Sequence, residues 1–542
     1  MVRIAMALMV VMALGCREKA DLLIYNGTIH TVNGNGDTAR AMVIRQGRIV
    51  ALGSDDALRQ QYKSAAEIDL QGKPVYPGLI DPHCHFLYYG LGLRQTDLTG
   101  TASPEEVIGR LKANDDPANP WVRGRGWDQN DWQVKAFPNR ELLDAAFPDK
   151  PVYLVRVDGH AAWVNSKALE LAKINSATIP AGGEVITDSH GATGILLDNA
   201  MALVEKLIPP PGREEKERAL LKAQANCFAV GLTMVGDAGL DRDDVLLIDS
   251  MQQRNVLNIH VYAMLNPTTE NIDHFINKGV YRTGKLTVRS IKLFADGALG
   301  SRGALLKEPY SDDPLKTGLQ VTSVDEFNRI CSLAYEKGYQ VNTHCIGDSA
   351  VRLVLGVYSR YLKGNNNLRW RIEHSQVVDP SDFSLYGQYS VVPSVQATHA
   401  TSDMYWAEER LGPTRIRYAY AYKTLLQQNG WLANGSDFPV EAINPLYGFY
   451  AVTIRKDLNG FPEEGYRMEE AIGRTEALQA MTLWASQACL EEKETGSLEP
   501  GKMADFVILD RDILTTAEAE IPGTRVLATY VGGEKMYEFN EQ

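Results

Sequence analysis

The chain has 542 residues, 44% of them apolar and 23% charged, which is the composition of a globular protein long enough for more than one domain. Its 68 acidic residues outnumber 55 basic ones, and the net charge of -13 argues against nonspecific nucleic-acid binding. It has no block of like charge, low-complexity tract or internal repeat, so tails, linkers and solenoids are excluded as its main content.

The first feature in chain order is Arg3 followed by an apolar run from Ile4 to Leu14 and then Gly15-Cys16. That run is too short to span a bilayer comfortably and has the form of a secretory signal. Ala13-Leu14-Gly15-Cys16 resembles the lipobox of bacterial lipoproteins, although Ala13 stands where leucine is usual. The resemblance implies a signal peptide over residues 1–16, cleavage before Cys16, lipidation of its thiol, and a mature protein anchored on a bacterial membrane facing the periplasm. The other five cysteines show no Cys-x-x-Cys spacing and are expected to be free and buried.

Residues 21–74 alternate apolar runs with Gly-containing turns. Leu22 to Tyr25 precedes Asn26-Gly27, and Met42 to Arg45 meets Arg48 to Ala51 across Gln46-Gly47, which are hairpin signals. A matching block over residues 489–542 holds Phe506 to Leu509 and Val526 to Val531. From the residues alone, the two ends form either one composite β unit or two small ones.

Between them, residues 75–488 hold eight strand-like runs separated by segments long enough for helices. The runs are Val75 to Asp81, Val152 to Val157, Leu232 to Gly236, Thr287 to Phe294, Tyr339 to His344, Arg369 to His374, Ser390 to Gln396 and Trp431 to Asp437. Such alternation implies parallel βαβ units, and eight of them fit a (β/α)8 TIM barrel of the α/β class. An insertion, residues 93–150, separates the first two runs. It carries Trp121, Trp127 and Trp132 among glycines and charges, which suits either a loop over a pocket or a packed excursion.

The ends of these runs carry the chemistry. The first delivers His83 and His85, whose i, i+2 spacing points both rings to one side of an extended segment. His344 and His374 end the fifth and sixth runs, and Asp437 ends the eighth. Histidines and a carboxylate at the ends of separate barrel strands make a donor set suited to zinc or a similar divalent ion. Lys292 lies in an otherwise apolar strand, where an ammonium must be paired, deprotonated or chemically altered.

The order His-x-His, His, His, Asp resembles the amidohydrolase superfamily of metal-dependent hydrolases. Gly124 to Asp128, Asp158 to Asn165, Ala295 to Arg302 and Gly435 to Val440 look like amidohydrolase family 3, the group that includes N-substituted formamide deformylases. The resemblance covers nearly the whole mature chain and implies several things. The terminal blocks form a composite β-sandwich. One or two divalent metals, zinc being expected, sit at the barrel mouth: His83 and His85 with Asp437 on one ion, His344 and His374 on a second, and carboxylated Lys292 between them. Asp437 acts as general base and acid, and a carbon–nitrogen bond other than a peptide bond is hydrolysed in a small molecule. Candidate substrate contacts are His160, His399, Asp296, Arg302 and Trp127, while His30, His190, His260 and His274 read as structural. Competing readings are a deaminase, lactonase or isomerase of the same superfamily, or a catalytically inactive lipid-anchored binding protein. No nucleic-acid partner is expected, the membrane is met only through Cys16, and homo-oligomerisation stays open.

Overall fold

The computed structural model describes residues 17–93, 95–117 and 119–540. The signal-like run and Cys16 lie outside the described residues.

Eight parallel strands form the nearly closed barrel: β1 (Leu79–Cys84), β2 (Leu232–Leu240), β3 (His260–Leu265), β4 (Leu286–Phe294), β5 (Gln340–Cys345), β6 (Arg371–His374), β7 (Val392–Gln396) and β8 (Ala433–Gly435). Each neighbouring pair from β1 to β8 is hydrogen-bonded in parallel. These strands are buried almost throughout, as a sheet covered by helices on one side and filled on the other must be. Beyond the strand ends, β1 and β8 are tied together by Asp437 N donating to His83 O (2.9 Å) and His85 N to Phe438 O (2.8 Å). Gly435 permits this approach, because a Cβ there would stand 2.6 Å from Asp81 Oδ1.

One expected barrel strand belongs elsewhere. Val152–Arg156 lies in a separate six-stranded sheet with Thr96–Asp97, Val122–Trp127, Ala161–Val164, Gly183–Asp188 and Gly191–Asp198. The barrel takes β3 instead, a strand the sequence reading passed over, and the excursion between β1 and β2 continues well past residue 150. The cause is physical: both faces of this sheet are buried. Val152 and Leu154 pack with Leu98, Trp127 and Trp163, while Tyr153 packs with Ala162, Leu169 and Leu196. A strand covered on both sides has the same apolar pattern in either setting.

The termini build one sandwich. Glu18–Tyr25, Ala41–Arg45, Arg48–Gly53 and Tyr62–Asp69 form one sheet, and the facing sheet joins Thr28–His30, Thr38–Ala39 and Pro74–Pro77 to Phe506–Leu509, Val526–Val531 and Glu534–Glu538. Val75 pairs with Ile508 across the two ends of the chain. Their shared core includes Ile24, Met42 and Ile44 from the N-terminal part with Leu498, Phe506 and Tyr530 from the C-terminal part. No helix among the described residues is long and apolar enough to cross a membrane. Cys84, Cys227, Cys331, Cys345 and Cys489 are free and buried.

Candidate metal centre

The carboxyl ends of β1, β4, β5, β6 and β8 converge. His83 Nε2 and His85 Nε2 stand 3.3 Å and 3.2 Å from the same oxygen, Asp437 Oδ1. Lys292 Nζ lies 3.2 Å from His83 Nε2. The His374 ring is centred 5.2 Å from that of His83 and 4.5 Å from that of His344. All six side chains named for the metal site are therefore brought together. His83, His374 and Asp437 alone offer three ligand atoms within 4.8 Å of one another.

Polar atoms left over in this cluster fit a cation. His374 Nδ1 and Asp437 Oδ1 are buried without hydrogen-bond partners, a costly arrangement unless something else completes it. Burial pushes His344 and His374 well below the ordinary imidazole range, which leaves the neutral form that ligates metals. Burial also lowers Lys292 to about 8, against the pull of Glu373 and Asp437. His374 (φ 71°) and Asp437 (φ 60°) both adopt left-handed backbone, a strain that gathers at sites where side-chain aim matters.

Behind the cluster stands a carboxylate the sequence reading missed. Glu373, fully buried, accepts from His83 Nδ1 at 2.5 Å and from Arg371 Nε at 2.6 Å. Despite burial, Arg371 and His83 hold its carboxyl down at about 2. This fixes the His83 tautomer with Nε2 free to face the cluster. Simple alternation would place adjacent Glu373 and His374 on opposite faces. The left-handed turn at His374 ends the alternation, so both serve the same centre.

A cavity of about 720 Å³ opens over the cluster, lined in part by His160, His344, His374, His399 and Asp437. His160 comes from the inserted sheet and not from a barrel strand. Its Nδ1 is 2.7 Å from Asp198 Oδ1, and its ring is centred 4.8 Å from His344. His399 follows β7, with Nδ1 2.9 Å from Glu441 Oε1 and Nε2 3.9 Å from Asp437 Oδ2. Burial alone would lower His399, but Glu441 overrides it and raises the imidazole to about 9.

Three expected substrate contacts do not line the cavity. Trp127 is fully buried in the insertion, where its Nε1 donates to Leu154 O (3.0 Å) and its ring packs against Trp132 and Trp163. The tryptophan-rich stretch is thus a packed core and not a loose cover. Asp296 accepts from the backbone N–H groups of Leu305, Ile346 and Gly347 at 2.8–3.0 Å, so it ties loops together. Asp81 holds Ser436, and Asp237 holds Phe86 and Leu87, in the same way. Burial raises all three carboxyls to about 7 against those bonds. Arg302 forks onto Asp312 (2.8 Å and 3.3 Å).

A parallel barrel whose carboxyl mouth gathers imidazoles, an amine and a carboxylate is the architecture of a metal-dependent hydrolase. Comparison with known proteins narrows the class. The chain belongs to the amidohydrolase family, whose model matches residues 66–537. It is 34% identical to Protein LONG AFTER FAR-RED 3 of Arabidopsis thaliana, over 96% of this chain and 92% of that one. It is 26% identical to an N-substituted formamide deformylase of Arthrobacter pascens, over 96% and 99%. Among solved structures, an uncharacterized metal-dependent hydrolase from Pyrococcus horikoshii OT3 superimposes with a TM-score of 0.75 at 29% identity, over 92% of this chain and 99% of that one.

Proposed function

We propose that this enzyme hydrolyses a carbon–nitrogen bond other than a peptide bond, in a small N-acyl or N-formyl amide. The convergence of His83, His85, Lys292, His344, His374 and Asp437 beneath an open cavity carries the reading, and similarity to the formamide deformylase supports the bond type. His83 and His85 with Asp437 would hold one divalent ion, zinc by donor type, and His344 with His374 a second. Such an ion supplies Lewis acidity, activating water and polarising the carbonyl.

The chain's own groups do the rest. Asp437, which faces His83 and His85 through Oδ1, takes the attacking water's proton on its other side and returns it to the leaving nitrogen. His399, held protonated by Glu441, and His160, held by Asp198, face the cavity and hold the carbonyl oxygen as negative charge develops on it. Burial lowers the Lys292 ammonium to about 8 and so favours the neutral amine. Its Nζ lone pair can then add to carbon dioxide, losing a proton and giving a carbamate beside His83 that would supply a further oxygen donor to the ions.

We further infer, from residues 4–16, that the enzyme works outside the cytoplasm, tethered through a lipidated Cys16. The test of the reaction is turnover of a panel of N-acyl, N-formyl and cyclic amides, alongside metal content before and after chelation. Amine release that chelation abolishes and zinc restores is the expected result. Metal-replete protein that cleaves no carbon–nitrogen bond in the panel would overturn the reading.

A further inference from the structure

The inserted sheet sends a second kind of side chain into the cavity. Val122–Trp127 carries Arg125, which lines the cavity wall. Its neighbour Arg156 is fully occupied: Asp128 and Asp158 both ion-pair with it, and Gln129 Oε1 accepts from its Nε at 2.8 Å. Those bonds also engage both carboxylates. Asp158 binds Arg156 through Oδ2 and His160 N through Oδ1, and Asp128 Oδ1 accepts from Asn130 N as well as from Arg156.

Arg125 is left over. Its Nη2 donates to Val157 O (3.1 Å), and its Nε is buried without a partner. Asp97, opposite Arg125 in the sheet register, accepts from Thr99 N (2.9 Å) and makes no ion pair with it. A half-buried guanidinium that keeps a buried Nε–H unpaired costs stability, and a planar anion arriving from the cavity recovers that cost. Other charges of the wall are already paired, Glu441 with His399 and both Asp128 and Asp158 with Arg156. One carboxylate fits the single planar fork.

We propose that Arg125 binds a carboxylate carried by the substrate on the end away from the bond being cut. The proposal rests on the hydrolase reading and deepens it: the preferred substrates are N-acyl or N-formyl amino acids or similar acids, selected by a residue of the insertion and not of the barrel.

The test compares a panel of N-acetyl amino acids with their uncharged carboxamides, by calorimetric binding and by turnover, on the metal-loaded wild-type enzyme and on Arg125→Gln and Arg125→Lys. The wild type should prefer the acids by about 10- to 100-fold, the scale of charge-assisted hydrogen bonds. Arg125→Gln should erase that preference by raising KM for the acids, and Arg125→Lys should keep part of it. Circular dichroism and melting confirm that each variant is folded. Equal affinity for acid and carboxamide in the wild type, including no binding of either, overturns the proposal. So does a preference that survives in Arg125→Gln, or a fall in kcat on the carboxamides, which would place Arg125 on the reacting carbonyl instead. If no amide is cleaved at all, the hydrolase reading fails, and the binding comparison still decides the role of Arg125.

Discussion

Replacing Glu373 with Gln keeps size and shape but changes two partners at once. Arg371, fully buried, loses its counter-charge, and breaking a buried pair from one side typically costs about 3–5 kcal/mol. The depressed carboxyl leads to a similar figure: a fall from 4.5 to about 2, at about 1.4 kcal/mol per unit, corresponds to about 3 kcal/mol. Because the folded-state value is the lower one, this stabilisation is complete above pH 4.5 and is lost as pH falls towards 2. The second effect falls on the metal. An amide nitrogen facing His83 Nδ1 would donate to it, so the ring's proton moves to Nε2, the atom that faces Asp437. Loss of such a supporting partner typically weakens metal binding by about 10–100-fold. Urea unfolding of chelated protein at pH 7 isolates the first effect, and competition with a zinc chelator reads the second. A Glu373→Gln protein within about 0.5 kcal/mol of wild type and with unchanged zinc affinity would refute the reasoning, since surface-like substitutions fall in that range.

Asp437→Asn removes the proton acceptor while keeping shape, and kcat should fall by about 10²–10⁴-fold in a protein that melts within a few degrees of wild type; near-normal kcat at full metal occupancy would assign the base elsewhere. Lys292→Ala should lose metal and activity together, with short carboxylic acids partly restoring both, and mass spectrometry under carbon dioxide should find the carbamate on wild type only. Cys16→Ser should block lipoprotein processing, and an unmodified Cys16 at the mature amino terminus of the native protein would refute the anchor.

Much of the site was legible because its ligands end strands. His83 and His85 share a side by i, i+2 spacing, and His344, His374 and Asp437 close strand-like runs, so pattern and chemistry coincide. The barrel was legible as alternation, but its membership was not. Val152–Arg156 and β3 differ in their partners and not in their composition, and a sheet buried on both faces hides which body it belongs to. Glu373 was missed because its neighbour His374 adopts a left-handed backbone that residue type does not announce. Asp296 misled for the opposite reason: a carboxylate that ties loops and one that meets substrate look alike until the three N–H groups around it are seen. Arg125 and Arg156 stand on adjacent strands of the same sheet, and only the contacts of each show that Arg156 is fully paired while Arg125 keeps an unpaired Nε.

The central claim is that the six converging side chains form a metal centre, and anomalous diffraction from crystals of the active enzyme, collected on both sides of the zinc absorption edge, tests it most directly. Edge-dependent density is expected within about 2.0–2.2 Å of nitrogen and oxygen donors from His83, His85, His344, His374 and Asp437, with density continuous from Lys292 Nζ. Anomalous peaks held by other residues, or a fully active crystal with none at this cluster, would contradict it.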